Sequence, residues 1–375
     1  MKIEHVEAWT IPYSEPNDHG STRFVTLCRV QDADGAFGWG EAVTIQEEAA
    51  RATTVVLRQW ASLLVGAPAT PNAVRTAIER RGWWYGEGGG IAGFATSALD
   101  TAVWDLVGRR AGQPLVDMLG GSAHDDGLPV IVTTHAMIAD LTEQAAVLAG
   151  WCRDANAAGV KVGFGKPGDA HLGFDHRRDV AFMSALRAAL GDDAKIMIDL
   201  SPLVRWSVSD AINRTRAFED HGLHWIEEPL GADDPEGYAR LANATTCLLA
   251  YGEREWTLRG MARILDSGTV DVLGIDPGRA GGISNFVAIA AYALARRRQT
   301  NAHAFAGPVS YAAGLACSLA SPTCLQFEVA PMRNTLMTLL APDLPMPANG
   351  RVYPLPGLGL GVEIDAATVA ALSVD

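Results

Sequence analysis

Short β-rich runs alternate with helical stretches over most of the chain after residue 128. Eight runs occupy residues 130–134, 160–163, 196–199, 225–228, 248–253, 272–276, 300–303 and 326–328. The unit repeats about every 25 residues, as expected for a strand and a helix in an α/β barrel. The pattern therefore predicts parallel strands closed into a barrel. A doubly wound sheet is the alternative, but it would favour a Gly-rich turn after its first strand, and the sequence has none there.

A different pattern precedes this repeat. Residues 1–60 predict a small antiparallel sheet, with a hairpin turn at Asp34-Gly35 between two apolar runs. Apolar residues spaced by three and one positions then predict a long helix over 91–107. Asp100 and Asp105 lie in that helix, and we expect them to be solvated or to cap a helix. The N-terminal region is therefore predicted to be an α+β unit.

Composition narrows the functional classes. The chain has 375 residues, 48% of them apolar and 19% charged, so it can form a large core. Its formal net charge of −13 argues against nucleic-acid or anionic-membrane partners, which require clustered positive charge. No apolar stretch is long enough to cross a bilayer, and the five cysteines form no CxxC pair. We expect a cytoplasmic protein with reduced thiols.

Three successive predicted strands end in an acidic residue, namely Asp199, Glu227 and Glu253. The carboxyl ends of barrel strands form the mouth in which such proteins place their chemistry. Three convergent carboxylates repel one another unless a cation lies among them. An all-oxygen set suits Mg²⁺ better than Zn²⁺, so the sequence predicts a magnesium site. The alternative is that each acid caps the helix that follows its strand.

The next three predicted strands also end in polar residues. Asp276 and His303 end neighbouring strands, so the carboxylate can orient the imidazole and raise its basicity. This pair predicts a general base. Glu328 ends the last strand and faces the same mouth. The other histidines are expected to be structural, apart from His19, whose loop makes it a candidate substrate contact.

Several motifs together resemble one family, the enolase superfamily, in its mandelate racemase-like branch. They occur in the expected order over nearly the whole chain. They are Ser-Ala-Leu-Asp-Thr-Ala-Val-Trp-Asp-Leu at 97–106, Gly-Gly at 120–121, Trp-Ile-Glu-Glu-Pro at 225–229, Gly-Glu at 252–253, Gly-Gly at 281–282 and Pro-Gly-Leu-Gly at 356–359.

The resemblance implies an α+β capping domain over 1–125, a (β/α)7β barrel over 126–350 and a C-terminal segment over 351–375 that returns to the cap. It implies Mg²⁺ held by the three acids, an Asp276–His303 dyad, and Glu328 hydrogen-bonded to substrate. The implied reaction removes the proton α to a carboxylate, with the metal stabilising the enediolate. A small carboxylate substrate and a homo-oligomer are also implied.

One departure from the family pattern affects the reaction. The branch usually has Lys-x-Lys on the second barrel strand. Lys161 matches the first lysine, and we expect its charge to assist catalysis near the substrate carboxylate. Gly163 replaces the second lysine, the usual base opposite the histidine, and is expected to leave open space. Racemisation through two bases is then disfavoured.

We therefore expect β-elimination of water from a sugar acid, that is, an acid-sugar dehydratase. A racemase or epimerase, or a sugar-lactone cycloisomerase, is the isomerase alternative. A non-enzymatic relative that only binds an acid metabolite is the third hypothesis, and the complete set of acids, Asp276 and His303 argues against it.

Substrate specificity is expected to come from loops around the mouth. The cap loop 15–23 carries His19, and a second loop, formed by residues 83–86 and the glycines that follow them, carries Tyr85. Both are candidate lids and substrate contacts. Ser201 stands where the family often has Asn after the first metal ligand, and it is predicted to bind substrate. Lys166 and His171 lie in the loop after the second barrel strand. We expect them to be exposed loop residues, and the alternative is that they reach the site.

Overall fold

The computed structural model describes residues 1–85, 89–166, 170–231 and 233–375. Its N-terminal elements are β1 (Ile3–Glu15), β2 (Ser21–Asp32), β3 (Phe37–Ile45), α1 (Glu47–Leu64), α2 (Pro71–Gly82), α3 (Gly90–Ala111) and α4 (Leu115–Met118). The strands form an antiparallel sheet in the order β1-β2-β3. The sheet ends earlier than predicted, because residues 47–64 form helix α1. Helix α3 packs on β3, where a Cβ on Gly40 would lie 1.8 Å from the carbonyl oxygen of Ala98.

The remaining elements alternate strand and helix. They are β4 (Leu128–His135), α5 (Leu141–Asp154), β5 (Gly159–Phe164), α6 (His176–Leu190), β6 (Lys195–Leu200), α7 (Val208–Glu219), β7 (Leu223–Glu227), α8 (Pro235–Ala244), β8 (Leu248–Tyr251), α9 (Leu258–Ser267), β9 (Val272–Ile275), α10 (Gly282–Ala295), β10 (Gln299–Ala302), α11 (Pro308–Ala320), β11 (Phe327–Val329), α12 (Thr335–Leu340), β12 (Arg351–Val352) and α13 (Ala366–Leu372). Within the described ranges, no helix has both the length and the apolar character needed to span a membrane.

Strands β4 to β10 are parallel and pair in chain order, and β11 pairs in parallel with β4. A single bridge between Thr300 and Cys324 connects the ring on its remaining side. The (β/α)7β barrel with an N-terminal α+β cap is therefore confirmed. One small apolar cluster fills part of the interior; it consists of Ile131, Met197, Trp225, Ala250 and Val272.

The two aspartates of helix α3 are buried rather than solvated, which corrects that part of the sequence interpretation. The capping expectation is confirmed for Asp100, whose partner Ser284 lies in the first turn of α10. Asp100 accepts hydrogen bonds from the amide and hydroxyl of Ser284 on barrel helix α10. Burial raises the pKa of Asp100 to about 6. Asp105 accepts from the amides of Trp39 on β3 and Leu360 in the C-terminal segment. These carboxylates therefore join the cap to the rest of the chain.

The C-terminal segment runs back to the cap after β12, which pairs with β4. The amide of Leu115 donates to the carbonyl of Gly359 at 2.6 Å, and the amide of Val374 donates to the carbonyl of Thr10 at 3.1 Å. These contacts support a division at residues 125 and 350, which we retain as a proposal.

Candidate active site

The three predicted acids meet at one end of the barrel. Asp199 and Glu227 are register partners on the neighbouring strands β6 and β7, and Glu253 follows β8 by two residues. One carboxylate oxygen from each lies within 4.8 Å of the others. Two oxygens bound to one octahedral Mg²⁺ lie at most about 4.2 Å apart, so small side-chain rotations would complete such a site. The all-oxygen donor set therefore fits Mg²⁺.

The helix-capping alternative is wrong for these acids. Helices α7, α8 and α9 are capped by the side chains of Ser207, Asp234 and Thr257. Each of these side chains accepts a hydrogen bond from a backbone amide in the first turn of its own helix. The strand-end carboxylates are therefore not required for capping.

Lys161 already occupies one side of this acidic cluster. Its buried ammonium lies 2.8 Å from Glu227, 2.9 Å from Glu328 and 3.4 Å from Asp199. Burial lowers the pKa of Lys161, but the surrounding carboxylates outweigh burial and raise the pKa well above its usual value. The side chain therefore remains a fixed positive charge in the barrel.

Glu328 is held by three donors from the barrel. Its carboxylate accepts from the hydroxyl of Thr133 at 2.9 Å and from the amide of Asn301 at 2.5 Å, and it pairs with Lys161. Sequence analysis missed Thr133 and Asn301. Asn301 precedes His303 by two residues and therefore shares its strand face, which is the signal that could have identified it.

Asp276 and His303 form the predicted dyad. The Nδ1 atom of His303 lies 2.8 Å from an oxygen of Asp276, whose other oxygen accepts from the Gly278 amide at 2.7 Å. The Nε2 atom lies 3.5 Å from Glu253, so the imidazole faces the acidic cluster. Burial lowers the pKa of His303, but Glu253 and Asp276 outweigh it and raise the pKa to about 9. A cation bound at Glu253 would oppose the largest of these upward effects.

The space beside Gly163 is filled, contrary to the sequence prediction. Gly163 is the register partner of His135, the last residue of β4. A Cβ on Gly163 would lie 2.4 Å from Nδ1 of His135. The imidazole from the neighbouring strand therefore occupies the position that a side chain at residue 163 would need, so any larger residue would require the His135 ring to move.

His135 and Lys166 are both near enough to influence the pKa of Asp199. Burial, reinforced by the Lys166 ammonium, lowers the pKa of His135 to about 4. Burial raises the pKa of Asp199, but Lys161, Lys166, His303 and His135 together lower it. Lys166 is half-buried rather than exposed, whereas His171 is exposed as predicted.

The remaining predicted substrate contacts are less closely tied to this centre. The Ser201 hydroxyl donates to the Gly165 carbonyl at 2.9 Å and accepts from the Leu203 amide at 3.1 Å. His19 is exposed in the cap loop. Tyr85 packs against Trp60 within the cap, with ring centroids 6.3 Å apart. Their substrate contacts stay predictions, and residues 86–88 of the second predicted lid lie outside the described residues.

Gly163→Ala is expected to destabilise the protein by about 1–3 kcal/mol, because the new methyl group overlaps the His135 ring. Adding His135→Ala removes the overlap and should recover much of that loss. Thermal denaturation of the two single variants and the double variant measures the coupling. An unaltered single Gly163 variant, or a double variant with strictly additive losses, would contradict the packing interpretation.

Lys161→Met should destabilise the protein by about 3–5 kcal/mol, because Glu227 and Glu328 lose their buried cation. Mg²⁺ should raise the melting temperature of this variant more than that of the wild type, since the metal then provides more of the positive charge that balances the buried carboxylates. Turnover should fall while metal binding persists. Lys195→Met is the control, because Lys195 begins β6 and bonds to Gln326. Equal Mg²⁺ shifts in all three proteins would refute the expectation.

Comparisons with known proteins agree with this geometry. Residues 6–120 match the mandelate racemase / muconate lactonizing enzyme N-terminal domain, and residues 140–368 match the enolase C-terminal domain-like family. A 3,6-anhydro-alpha-L-galactonate cycloisomerase of Streptomyces coelicolor is 34% identical over 282 residues, which are 73% of this chain and 73% of that protein. A D-galactonate dehydratase of Verminephrobacter eiseniae is 31% identical over 387 aligned positions, covering 100% of this chain and 95% of that protein.

A solved relative shares the whole architecture. The crystal structure of a racemase from Streptomyces coelicolor A3(2) with bound magnesium superposes with a TM-score of 0.84 at 27% identity, covering 99% of this chain and 100% of that one. The relatives are thus named as a lyase and as isomerases. From the family matches and these relatives together, the chain belongs to the enolase superfamily, in its mandelate racemase/muconate lactonizing enzyme branch.

Proposed function

We propose that the protein is a Mg²⁺-dependent acid-sugar dehydratase that removes the proton α to the carboxylate and eliminates water. The observation that carries this proposal is the Asp276–His303 dyad directed at the acidic cluster. The Nδ1 atom of His303 lies 2.8 Å from Asp276, which leaves the Nε2 atom of His303 facing Glu253 and the barrel mouth. An imidazole oriented in this way is a competent general base.

Asp199, Glu227 and Glu253 would hold the metal. When bound, Mg²⁺ supplies positive charge that favours ionisation at the carbon next to a carboxylate. Lys161 contributes a second positive charge from the protein itself, fixed by its ion pairs with Glu227 and Glu328. Such preorganised charge is effective because it needs no rearrangement during the reaction.

The residues of the dyad can complete the elimination. Nε2 of His303 takes the α-proton, and the C–H electron pair is delocalised into the carboxylate as an enediolate, which can also take up a solvent proton again. The pair then forms the double bond to the β-carbon. The bond from the β-carbon to its oxygen breaks, and that electron pair leaves with the oxygen. The imidazolium returns its proton to this oxygen, so water departs and the imidazole becomes neutral again. The remaining enol carries the α-hydroxyl on its double bond and tautomerises to the 2-keto acid. Asp276 keeps the Nδ1 proton in place throughout.

A cycloisomerase is the second candidate, supported by the 34% identical relative with that name. A 3,6-anhydro acid carries an ether oxygen on the carbon β to its carboxylate. The same β-elimination then opens the ring, and the leaving oxygen stays attached to the product. The two candidates therefore share the proton-abstraction step and differ in whether water is lost.

An epimerase fits the site less well. It needs a second acid–base group on the other face of the substrate, and Gly163 provides none. His135 lies beside that position. Its pKa of about 4, lowered mainly by burial, disfavours the imidazolium form that would donate the proton.

The proposal is tested by incubating the metal-stripped protein with and without Mg²⁺ against a panel of aldonic, aldaric and anhydro-aldonic acids. A semicarbazide-reactive 2-keto product that forms only with Mg²⁺ is expected. Mass spectrometry then separates loss of water from ring opening, which leaves the mass unchanged. Turnover that is unaffected by chelation, or no keto product from any acid that exchanges its α-proton, would overturn the proposal.

A further inference from the structure

His135 is an unexplained polar group at the mouth of the barrel. It ends β4 and packs against Gly163 of β5. Its Nδ1 atom is buried and has no hydrogen-bond partner within the part of the chain that the structure describes. A buried polar atom without a partner destabilises the fold, because it has lost its hydrogen bonds to water. An apolar side chain could fill the same space without this cost, so packing alone does not account for a histidine here.

The groups around His135 belong to the site and to the cap loop above it. Lys166, Asp18, Arg23 and Asp199 all influence its ionisation. Asp18 and Arg23 form an ion pair at 2.7 Å in the loop between β1 and β2 and the start of β2. His135 pairs with Gly163, and Gly163 pairs with Asp199, so the imidazole lies at the level of the acids. Strand β4 also contacts residues Pro16–Asp18 of the cap, which places His135 on the side of the mouth that faces the cap loop.

His135 and His303 flank the cluster from different strands. His303 follows β10 and faces Glu253, whereas His135 ends β4, and both contribute to the low pKa of Asp199 between them. Burial lowers the pKa of His135 to about 4, so its imidazole is neutral near pH 7. A neutral imidazole has one donor and one acceptor nitrogen, which matches a hydroxyl or an ether oxygen.

We propose that His135 is a catalytic residue whose Nε2 atom hydrogen-bonds the oxygen leaving the β-carbon of the substrate, since Nδ1 is buried against Gly163. This inference rests on the proposed function. Lys161 and Glu328 form an ion pair with each other. His303 is oriented by Asp276 and is assigned to removal of the α-proton. His135 is the neutral imidazole at the mouth that remains for this oxygen. It supplies a hydrogen bond and no net proton, because the departing oxygen receives its proton from His303.

The test separates α-proton exchange from elimination in His135→Asn. In D₂O, wild-type protein with an accepted acid gives both deuterium incorporation at the α-carbon and keto product. In the variant, exchange should persist within a few-fold, while product formation should fall by about 10²-fold, as for loss of one preorganised donor. His224→Asn is the matched control, because burial also lowers the pKa of His224 to about 4, yet this residue lies near the start of β7.

An equal fall of exchange and product formation in His135→Asn would overturn the inference, as would two unchanged rates. Absence of exchange in wild-type protein with every acid tested would instead refute the proposed function. A substrate with fluoride on the β-carbon gives an independent measurement, since fluoride departs without a proton. The defect of His135→Asn should largely disappear with this substrate, and a defect of the same size would contradict the role. His135→Gln replaces the asparagine variant if that protein does not fold.

Discussion

Asp199→Asn, Glu227→Gln and Glu253→Gln are each expected to remove Mg²⁺-dependent activity. A metal ion contributes several kcal/mol of charge stabilisation in such reactions. A loss of about 4 kcal/mol corresponds to roughly a 10³-fold fall in kcat/KM. The three carboxylates bind as one unit, so combining two substitutions should add little to the effect of one.

Metal binding and folding can be measured separately in these variants. Titration calorimetry should show loss of Mg²⁺ affinity, while circular dichroism should show an intact α/β fold. Glu255→Gln is the matched control, because Glu255 lies two residues beyond Glu253 but accepts a hydrogen bond from Tyr251 and pairs with Arg263. The metal assignment fails if the three variants stay active at low Mg²⁺, or if Glu255→Gln loses as much affinity as they do.

His303→Asn is expected to stop exchange of the α-proton with solvent. Removing a general base typically costs ~10²–10⁴-fold, and the loss should be at the upper end because the same imidazole returns the proton to the leaving oxygen. Asp276→Asn should also be strongly impaired, because an amide in its place can no longer hold the Nδ1 proton as a carboxylate does.

The matched control for this variant is His171→Asn, since His171 is exposed and stacks on Phe174 at 4.9 Å. Deuterium incorporation followed by proton NMR measures the exchange directly. Wild-type exchange in His303→Asn would assign the base elsewhere, and Lys166 would be the first residue to replace.

The barrel could be predicted from the sequence because its parallel strands are buried and recur with a regular spacing. The mouth residues Asp199, Glu227, Glu253, Asp276 and His303 could be predicted for the same reason, since each lies at or just beyond a strand end. The sheet predicted over residues 1–60 differs from the structure in its last part, because β3 ends at Ile45 and helix α1 begins at Glu47. The barrel strands and the residues at their ends depend on a local sequence pattern, which a single sequence shows.

Contacts between strands could not be predicted in the same way. The overlap of His135 with Gly163 depends on the register of β4 with β5, which the sequence does not state. Lys161 was expected beside a substrate, but its three ion pairs depend on how deeply the side chain enters the barrel. The burial of Asp105 depends on the C-terminal segment, 255 residues away in the chain.

The most direct test of the single-base account is proton NMR in D₂O with both C2 epimers of an accepted acid. One histidine at the end of β10 can reach the α-proton from one face only. The account predicts that one epimer exchanges its α-proton and forms the keto product, while the other neither exchanges nor appears during the reaction. Exchange and interconversion of both epimers at similar rates would contradict it and would establish an epimerase.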